Sequence, residues 1–197
     1  MSPATFHHRL VLASGSTGRR DLLRAAGLDF DVLPSGVDEP DGRDVTDPRP
    51  FVHELAWRKA AAVANRVTTP SLVIAADSVV WHQGQIIGKP TDEADARRIL
   101  SRLAGTTHEL WTGVCVWRTS DGLQVCWQER SRVRFKALSA DELEALLATR
   151  DWEGKSGGYG IQAEADPYLT VETGTVSNVV GLPMETLLGV LRLLTLQ

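Results

Sequence analysis

Arg9-Leu-Val-Leu-Ala-Ser-Gly-Ser-Thr-Gly-Arg-Arg-Asp-Leu-Leu23 is the stretch that decides the fold, because an apolar run turns through small residues into a helical pattern. The periodicity predicts a strand over Leu10–Ala13 and a helix over Thr17–Ala26. Backbone N–H groups at the start of such a helix point outward and carry partial positive charge, which suits an anion. Two guanidiniums, those of Arg19 and Arg20, stand at this helix start. The stretch therefore indicates a ligand that carries phosphate.

Arg19 lies on the apolar face of this predicted helix. It shares the face with Leu22, Leu23 and Ala26, which follow at helical spacing. A guanidinium that points toward the core needs a partner, because an unpaired buried charge is costly. Two interpretations stay open from this segment: Arg19 pairs with a structural carboxylate, or it binds an anionic ligand.

The size and composition fit one globular domain over residues 1–197, with room for two small lobes. The chain has 197 residues, of which 43% are hydrophobic and 23% charged, and its net charge is -4. No basic block is present, so a nucleic-acid polymer is not an expected partner. No apolar run approaches the ~20 residues that span a bilayer, and Met1–His8 lacks a secretory signal pattern. We therefore expect a cytoplasmic protein without a membrane partner.

The two cysteines, Cys115 and Cys126, flank a predicted turn at Asp121-Gly122. This placement makes a cross-strand disulfide conceivable, although a reducing compartment disfavours it. Two cysteines do not make a zinc site by themselves.

Strands and helices alternate early in the chain, and a hairpin of two long strands follows. After residue 29 the predicted elements are strand Phe30–Pro34, helix Pro48–Arg66, strand Leu72–Ala76, the extended pair Ile86–Ile87, helix Asp92–Leu103 with Thr91 as N-cap, strands His108–Trp117 and Leu123–Phe135, a helix opened by a capping box at Ser139–Glu142, strands Tyr168–Glu172 and Ser177–Val180, and a helix after Pro183. Because hairpins and crossovers coexist, the fold class is α/β with a mixed sheet.

Lys59 and Asp77 are the two charged residues that stand out in apolar settings. Lys59 lies in the middle of the apolar stripe of the long predicted helix, where a lysine either snorkels at the edge of the core or reaches a cleft. Asp77 follows an apolar run and is predicted at the carboxyl end of a central strand, a common place for ligand binding in open α/β sheets. It could bind a metal, orient water or act as a base, or it could cap a turn.

A third cation and a glycine-rich loop complete the candidate residues. Lys89 follows Gly88 and precedes Pro90, which favours an extended backbone. Arg19, Lys59 and Lys89 together match a triphosphate, whose oxygens carry about four negative charges. The segment Gly154-Lys-Ser-Gly-Gly-Tyr-Gly-Ile-Gln162 suits a loop that lies close to a planar group, and the amide of its last residue could contact a base edge. A plain connecting loop is the alternative, and the order of a Walker loop is absent.

Taken together, these motifs resemble the Maf-type nucleoside triphosphate pyrophosphatases. The matching segments occur in the family's order and span nearly the whole chain: Ala13-Ser-Gly-Ser-x-x-Arg-Arg20, Gly36-Val-Asp-Glu39, Lys59 on its alanine-rich helix, Ala76-Asp-Ser78, Gly88-Lys-Pro90, Thr112-Gly113, Gly154-Lys-Ser-Gly-Gly-Tyr-Gly-Ile-Gln162 and Ser177-Asn-Val-Val-Gly-Leu-Pro183. The resemblance implies an α/β fold akin to the inosine-triphosphate pyrophosphatases, with an elongated mixed sheet and flanking helices that form two lobes around a nucleotide cleft.

The resemblance also implies hydrolysis of a nucleoside triphosphate to the monophosphate and pyrophosphate with a divalent cation, Mg²⁺ or Mn²⁺. Asp77 matches the family's proton acceptor, and Glu39 and Asp77 are the expected metal ligands. The expected substrate-binding residues are Ser14, Ser16, Arg19, Arg20, Lys59, Lys89 and Lys155. Proteins of the family are linked to septum formation, and a homodimer is plausible because most homo-oligomers are two-fold symmetric.

Three positions of the family bear on the choice of base, here Gly18, Ser78 and Gln162. The Tyr-Gly-Ile-Gln form of the loop resembles the group that cleaves dTTP and UTP, whereas the group that prefers 7-methyl-GTP tends to carry an acidic residue at position 162. At position 18 the first group usually has arginine and the second tryptophan, and Thr17 replaces a usual proline. We expect dTTP or UTP, or a modified pyrimidine nucleotide, as substrate, with a 7-methyl-GTP-type activity as the alternative.

Two further classes of function remain to be separated. One is a nucleotide-binding regulator of cell division without turnover, against which the retained charged motif residues argue. The other is a serine hydrolase that uses Ser14 or Ser16, but no G-x-S-x-G elbow is present and no histidine triad is evident.

Overall fold

A computed structural model of the chain describes residues 8–161 and 166–195. Within these residues seven strands form one sheet. They are β1 Arg9–Leu12, β2 Asp31–Val32, β3 Ser71–His82, β4 Gln85–Ile87, β5 Thr107–Arg118, β6 Gln124–Phe135 and β7 Leu169–Thr173. The strand order is β2-β1-β3-β5-β6-β7, and β4 pairs with β3 beside this path. The pairings of β1 are parallel and all others are antiparallel, so the prediction of a mixed α/β sheet is confirmed.

Helices cover both faces of the sheet. They are α1 Thr17–Ala25, α2 Pro48–Ala64, α3 Glu93–Leu103, α4 Ala140–Ala148, α5 Val176–Val180 and α6 Met184–Thr195, with a 3₁₀ turn at Ser156–Gly158. The small residues of α2 pack on one face against β1, β3 and β5, while α1 and α6 pack on the opposite face. Helices α3 and α4 cover the far end of the long strands. In the described ranges, no helix combines the length and apolar character needed to cross a membrane.

The three longest strands run from one hydrophobic core to another. On β3, Leu72 and Ile74 belong to the core under α1 and α6, whereas Val80 belongs to the core under α3 and α4. Asp77 lies between these two cores, seventh of the twelve residues of β3. The prediction that the strand ends at Ala76 and presents Asp77 at its carboxyl end is therefore wrong. The strand continues because Asp77–His82 keep pairing with β5 and then with β4.

One edge of β3 is interrupted at Asp77. Along this edge β1 pairs with residues 71–74 and β4 pairs with residues 80–82, while β5 pairs along the whole opposite edge. In the part of the chain that the structure describes, no strand covers residues 75–79 on the interrupted side. Because side chains alternate along a strand, Asp77 projects toward α2 and its neighbour Ser78 toward the opposite face. The interruption lets side chains from both faces reach one opening.

Three predictions of local structure have different outcomes. The capping box at Ser139 and Glu142 is confirmed, since both of its hydrogen bonds are formed. The N-cap of α3 is Asp92 rather than Thr91. The strand predicted over Ser177–Val180 is wrong, because the segment is the short helix α5, capped at its start by the Thr175 side chain. The two valines of the segment favour a strand, but the cap and the left-handed Gly181 that ends the segment select a helical turn.

Cys115 and Cys126 face each other across β5 and β6, and both are free thiols. The conceivable disulfide between them is not formed. A hydrogen bond with Cys126 and burial raise the pKa of the Cys115 thiol above its usual value, so it stays protonated and packs as a small apolar residue.

Gly113 sets how closely α2 approaches the sheet. A Cβ at this position would lie 2.2 Å from the Val52 carbonyl oxygen and 2.5 Å from the Val52 carbonyl carbon. These are backbone atoms of α2, which cannot move aside without shifting the helix. The absence of a side chain at Gly113 therefore fixes the height of α2, and with it the height of Lys59, above β3.

We predict that Gly113→Ala lowers the free energy of unfolding by at least about 2 kcal/mol, because the methyl group overlaps the backbone of α2. A fall in Tm of about 4 °C or more, measured by differential scanning calorimetry, is the expected readout. Gly189→Ala is the matched control, since a Cβ at this position of α6 meets no heavy atom within 4 Å. Alanine there should raise stability by up to about 1 kcal/mol. An unchanged Tm for Gly113→Ala would show that α2 does not need this close approach.

Candidate active site

A cavity of about 1090 Å³ opens at the interrupted edge of β3. It is lined by residues from the β1–α1 loop, the loop after β2, the centre of α2, the centre of β3 and the glycine loop that contains the 3₁₀ turn. The candidate residues that it brings together are Ser14, Ser16, Gly18, Arg19, Glu39, Lys59, Asp77, Ser78, Lys89 and Lys155. Its volume lies just above the range of about 300–1,000 Å³ that is usual for small-molecule sites.

The β1–α1 loop forms one wall of the cavity. Ser16 caps α1, and its hydroxyl accepts a hydrogen bond from the Arg19 backbone N–H at 3.4 Å. The buried Ser14 hydroxyl accepts from the Ser16 backbone N–H at 3.2 Å. The loop thus directs the start of α1, with its partial positive charge, toward the cavity.

Arg19 is held by three oxygens that carry no formal charge. Its guanidinium donates to the Gly181 carbonyl at 2.7 Å and to the hydroxyls of Ser14 and Ser78, each at 3.1 Å. Among the described residues, no carboxylate lies within ion-pair distance of Arg19, and its hydrogen bonds go to neutral oxygens instead. Burial lowers the pKa of the Arg19 guanidinium, and the negative charges of Asp77 and Glu39 act in the opposite direction. The guanidinium stays protonated, as arginine does in proteins.

Lys59 lies at the centre of the site. Its Nζ donates to Asp77 Oδ1 at 2.5 Å and to Glu39 Oε1 at 2.6 Å. The side chains of Lys59 and Asp77 are only 6% and 7% exposed. Lys59 reaches this position because α2 crosses β3 with its apolar stripe inward, which places the lysine directly over Asp77. The interpretation of Lys59 as a snorkelling residue is wrong.

Glu39 joins the two lysines of the cavity. Its second oxygen accepts from Lys89 Nζ at 2.6 Å. Burial acts to raise the pKa of Glu39, but hydrogen bonds from Lys59 and Lys89 and their positive charges outweigh it and hold the pKa at about 2. Glu39 is therefore a carboxylate at all ordinary pH values, and it accepts a hydrogen bond from each of the two ammonium groups.

The glycine loop closes the cavity on the side of β4. Gly157 donates its N–H to the Gly88 carbonyl at 3.0 Å, which ties the loop to the residue before Lys89. The stem of Lys155 crosses the α-carbon of Gly160, where a Cβ would lie 2.6 Å from its Nζ. Lys155 Nζ is 3.8 Å from Asp151 Oδ1 at the rim.

One expected site residue does not line the cavity, one lies outside the described residues, and a third sits against a helix. Arg20 does not line the cavity. Gln162 lies outside the described residues. Gly18 lines the cavity, but a Cβ there would be 2.9 Å from Val180 Cγ1, so a larger residue at this position requires the Val180 side chain to shift.

Two residues that help to hold Arg19, one directly and one through Ser78, were not predicted from the sequence. Gly181 has φ +115°, a conformation that favours glycine, and this geometry aims its carbonyl at Arg19. Thr112 shares a hydrogen bond of 2.9 Å with Ser78 and donates to the Asn178 carbonyl at 3.2 Å. The glycine between Val180 and Leu182 could have been recognised in the sequence as the end of a helix. The pairing of Thr112 with Ser78 could not, because it depends on the register of β3 and β5.

The acidic residues fit a divalent cation only in part. Glu39 and Asp77 each place an oxygen within hydrogen-bond distance of the same Lys59 Nζ, so the two carboxylates are close together. In residues 8–161 and 166–195 no three His, Cys, Asp or Glu side chains are grouped so that they could hold a metal by themselves. A Mg²⁺ ion commonly takes one or two protein carboxylates and completes its octahedron with phosphate oxygens and water. The donor set fits such a shared site and not a closed protein cage.

The fold and the cavity define an α/β protein with a cleft at an interrupted sheet edge, where basic and acidic side chains meet. The family model of the Maf-like proteins matches residues 9–194, and the chain belongs to this family. A dTTP/UTP pyrophosphatase of Pelotomaculum thermopropionicum is 41% identical over 93% of this chain and 95% of its own length. A dTTP/UTP pyrophosphatase of Bacillus cereus is 36% identical over 93% of this chain and 94% of its own.

One solved structure shows the fold class without closeness in sequence. A HAM1 protein from Coxiella burnetii covers 96% of this chain and 100% of its own, with a TM-score of 0.53 and 16% identity. The similarity confirms the expected α/β architecture and carries no argument about substrate.

We predict that Glu39 makes the stability of the protein fall at acid pH. Its pKa is lowered from 4.5 to about 2 in the folded protein, so its contribution is present above pH 4.5 and is lost as the pH falls toward 2. Urea unfolding between pH 5 and pH 2.5 should show a steeper loss for the wild type than for Glu39→Gln. Solvent screening of this half-exposed group limits the difference to about 1 kcal/mol. Equal slopes would mean that the two lysines do not hold Glu39 in solution.

Proposed function

We propose that this protein hydrolyses a nucleoside triphosphate, with dTTP and UTP as the foremost substrates, to the monophosphate and pyrophosphate. The observation that carries the proposal is the convergence of Arg19, Lys59, Lys89, Glu39 and Asp77 in one cavity of suitable size. The names of its Maf-family relatives support the same reaction and the same bases. We assign the substrate's polyphosphate to the end of the cavity where these charges meet.

The basic side chains of the site would balance the negative charge of the polyphosphate. Arg19 is oriented by neutral oxygens, so its positive charge is available to a phosphate group. Lys59 and Lys89 both hold Glu39, and phosphate oxygens would take up the bonds that this carboxylate releases. Charge-assisted bonds to phosphate are the strong ones, and they strengthen further as negative charge develops on the leaving pyrophosphate.

Asp77 is the residue that we assign to the attacking water. Lys59 fixes one carboxylate oxygen, and the charge of the pair is buried. The second oxygen would orient a water molecule at the α-phosphorus and take its proton as the new P–O bond forms. The bond between the α-phosphorus and the bridging oxygen to the β-phosphorus breaks, and pyrophosphate leaves with the bonding electrons.

Glu39 and Asp77 would hold a divalent cation, Mg²⁺ or Mn²⁺, together with phosphate oxygens. When bound, such an ion neutralises charge on the phosphoryl oxygens. Because Glu39 also binds both lysines, its release from them would leave the ammonium groups free for the substrate.

Other expectations from the sequence remain predictions. They are the single two-lobed domain over residues 1–197, the cytoplasmic location, the homodimer, the link to septum formation and the contacts of Arg20, Lys155 and Gln162 with substrate.

We predict that the purified protein with Mg²⁺ releases pyrophosphate from dTTP and UTP with a higher kcat/KM than from CTP, ATP, GTP or 7-methyl-GTP. Pyrophosphate is measured with a coupled enzymatic assay. A preference for 7-methyl-GTP would select the alternative substrate group. Tight binding of every triphosphate without pyrophosphate release would indicate a nucleotide-binding regulator and would contradict the hydrolase proposal.

We predict that Asp77→Asn lowers kcat at least about 100-fold, because an amide cannot take a proton from water. The variant should stay folded, since asparagine is isosteric and can still accept a bond from Lys59. Glu144→Gln is the control: this exposed glutamate on α4 pairs with Arg97 and should leave turnover unchanged. Near-normal turnover of a folded Asp77→Asn protein would remove Asp77 from the mechanism.

A further inference from the structure

A buried hydrogen bond behind the glycine loop has no part in the chemistry above. The Tyr159 ring is 8% exposed, and its hydroxyl lies 2.5 Å from Nε2 of His108 on β5. The ring also packs edge-on against Phe135, with centroids 5.7 Å apart. Tyr159 belongs to the loop that lines the cavity, whereas His108 belongs to the sheet beneath it. The bond therefore joins a wall of the active site to the scaffold.

His108 is an unusual residue to bury at this place. Burial, and second the charge of His82, lower its pKa to about 4, so its imidazole is neutral at pH 7. In the described part of the chain Nδ1 of His108 has no hydrogen-bond partner, which leaves the contact with Tyr159 as its ring's one hydrogen bond. A buried polar atom without a partner costs about 1–3 kcal/mol. An apolar residue would avoid this cost, so the bond to Tyr159 is the feature that distinguishes histidine here.

The other half of the glycine loop is fixed independently. The Ser156 hydroxyl donates to the Ile87 carbonyl at 2.7 Å and accepts from the Val80 N–H at 3.3 Å. Together with the bond from Gly157 to Gly88, these contacts hold the loop against β3 and β4. The first half of the loop is thus attached to the strands that precede Lys89, and the second half is attached through Tyr159.

Gly160, the neighbour of Tyr159, supports the side chain of Lys155. A Cβ on Gly160 would lie 2.6, 3.1 and 3.2 Å from Nζ, Cε and Cδ of Lys155. The lysine stem therefore rests directly on the glycine backbone. A shift of Tyr159 moves the support on which Lys155 lies, and with it the direction in which the ammonium points.

We propose that His108 is a positioning residue of the active site: through Tyr159 it fixes Gly160, and so aims the Lys155 ammonium at an anionic group of the substrate. The proposal rests on the proposed function for the identity of that anion. In this proposal Lys155 contacts the substrate in both the ground state and the transition state. Asp77 and Lys59 lie on β3 and α2, so a shift of the glycine loop leaves them in place. Loss of the positioning should therefore raise KM and leave kcat nearly unchanged.

The first test compares KM and kcat for UTP hydrolysis. Tyr159→Phe and His108→Leu should each raise KM about fivefold or more, with kcat within about twofold of the wild type. His108→Gln, whose amide can still meet the Tyr159 hydroxyl, should restore part of the loss. Tyr168→Phe is the matched control, because the ring of this second tyrosine lies against Lys136 and away from the cavity. Unchanged KM in Tyr159→Phe and His108→Leu, with only a lower Tm, would overturn the proposal.

Two variants test the route through Lys155 without touching the buried pair. Gly160→Ala leaves Tyr159 and His108 in place but displaces the flexible lysine stem, so it should fold normally and raise KM as Lys155→Met does. In a Lys155→Met background, Tyr159→Phe should add no further increase in KM. If the effects of Lys155→Met and Tyr159→Phe multiply instead, the histidine does not act through Lys155 and the proposal fails.

Hydrogen–deuterium exchange provides a readout that needs no turnover. Exchange in a peptide that covers residues 159–161, measured by mass spectrometry, should be several-fold faster in Tyr159→Phe than in the wild type and unchanged in Tyr168→Phe. Absence of pyrophosphate release by the wild type would refute the proposed function, while the exchange would still test the anchoring of the second half of the loop. Equal exchange rates in Tyr159→Phe and the wild type would refute the anchoring itself.

Discussion

The two ion pairs of the buried Lys59 ammonium are the interactions around which the candidate site is built. A lysine at 6% exposure is tolerable only with anionic partners, and it has two, Asp77 from the sheet and Glu39 from the loop after β2. Removal of either carboxylate would leave a buried charge with less compensation. Glu39 extends the arrangement to Lys89, so that charges from four separate segments are coupled. The helix that carries Lys59 reaches this depth because Gly113 has no side chain.

The second constraint is the interrupted edge of β3. A continuous sheet would separate Asp77 on one face from Ser78 on the other, since neighbouring residues of a strand point in opposite directions. Between β1 and β4 the edge is open, and Arg19 approaches from the side of Ser78 while Lys59 covers Asp77. The two faces thus contribute to one cavity. This arrangement also explains why two hydrophobic cores flank the site, for the charges occupy the region between them.

Much of the fold could be predicted from periodicity and capping. The capping box at Ser139 and the lysine in the stripe of α2 were recognisable because local rules and the tertiary structure agree there. The rules failed where tertiary contacts override local preference. Ser177–Val180 ends in two valines, which favour a strand, but it forms a helical turn whose end supplies an oxygen to Arg19. Asp77 lies within a strand, although a carboxylate normally interrupts one, because Lys59 compensates its charge.

The sequence by itself singled out the charged side chains that stand in apolar settings, since an unpaired charge there is costly. It also determined that Lys59 points inward, because helical periodicity is a local property. Only the tertiary structure decided which charges meet. The distance between Lys59 and Asp77, the neutral oxygens around Arg19 and the bond between His108 and Tyr159 join residues far apart in the chain. Such contacts depend on strand register and helix depth, which no local pattern encodes.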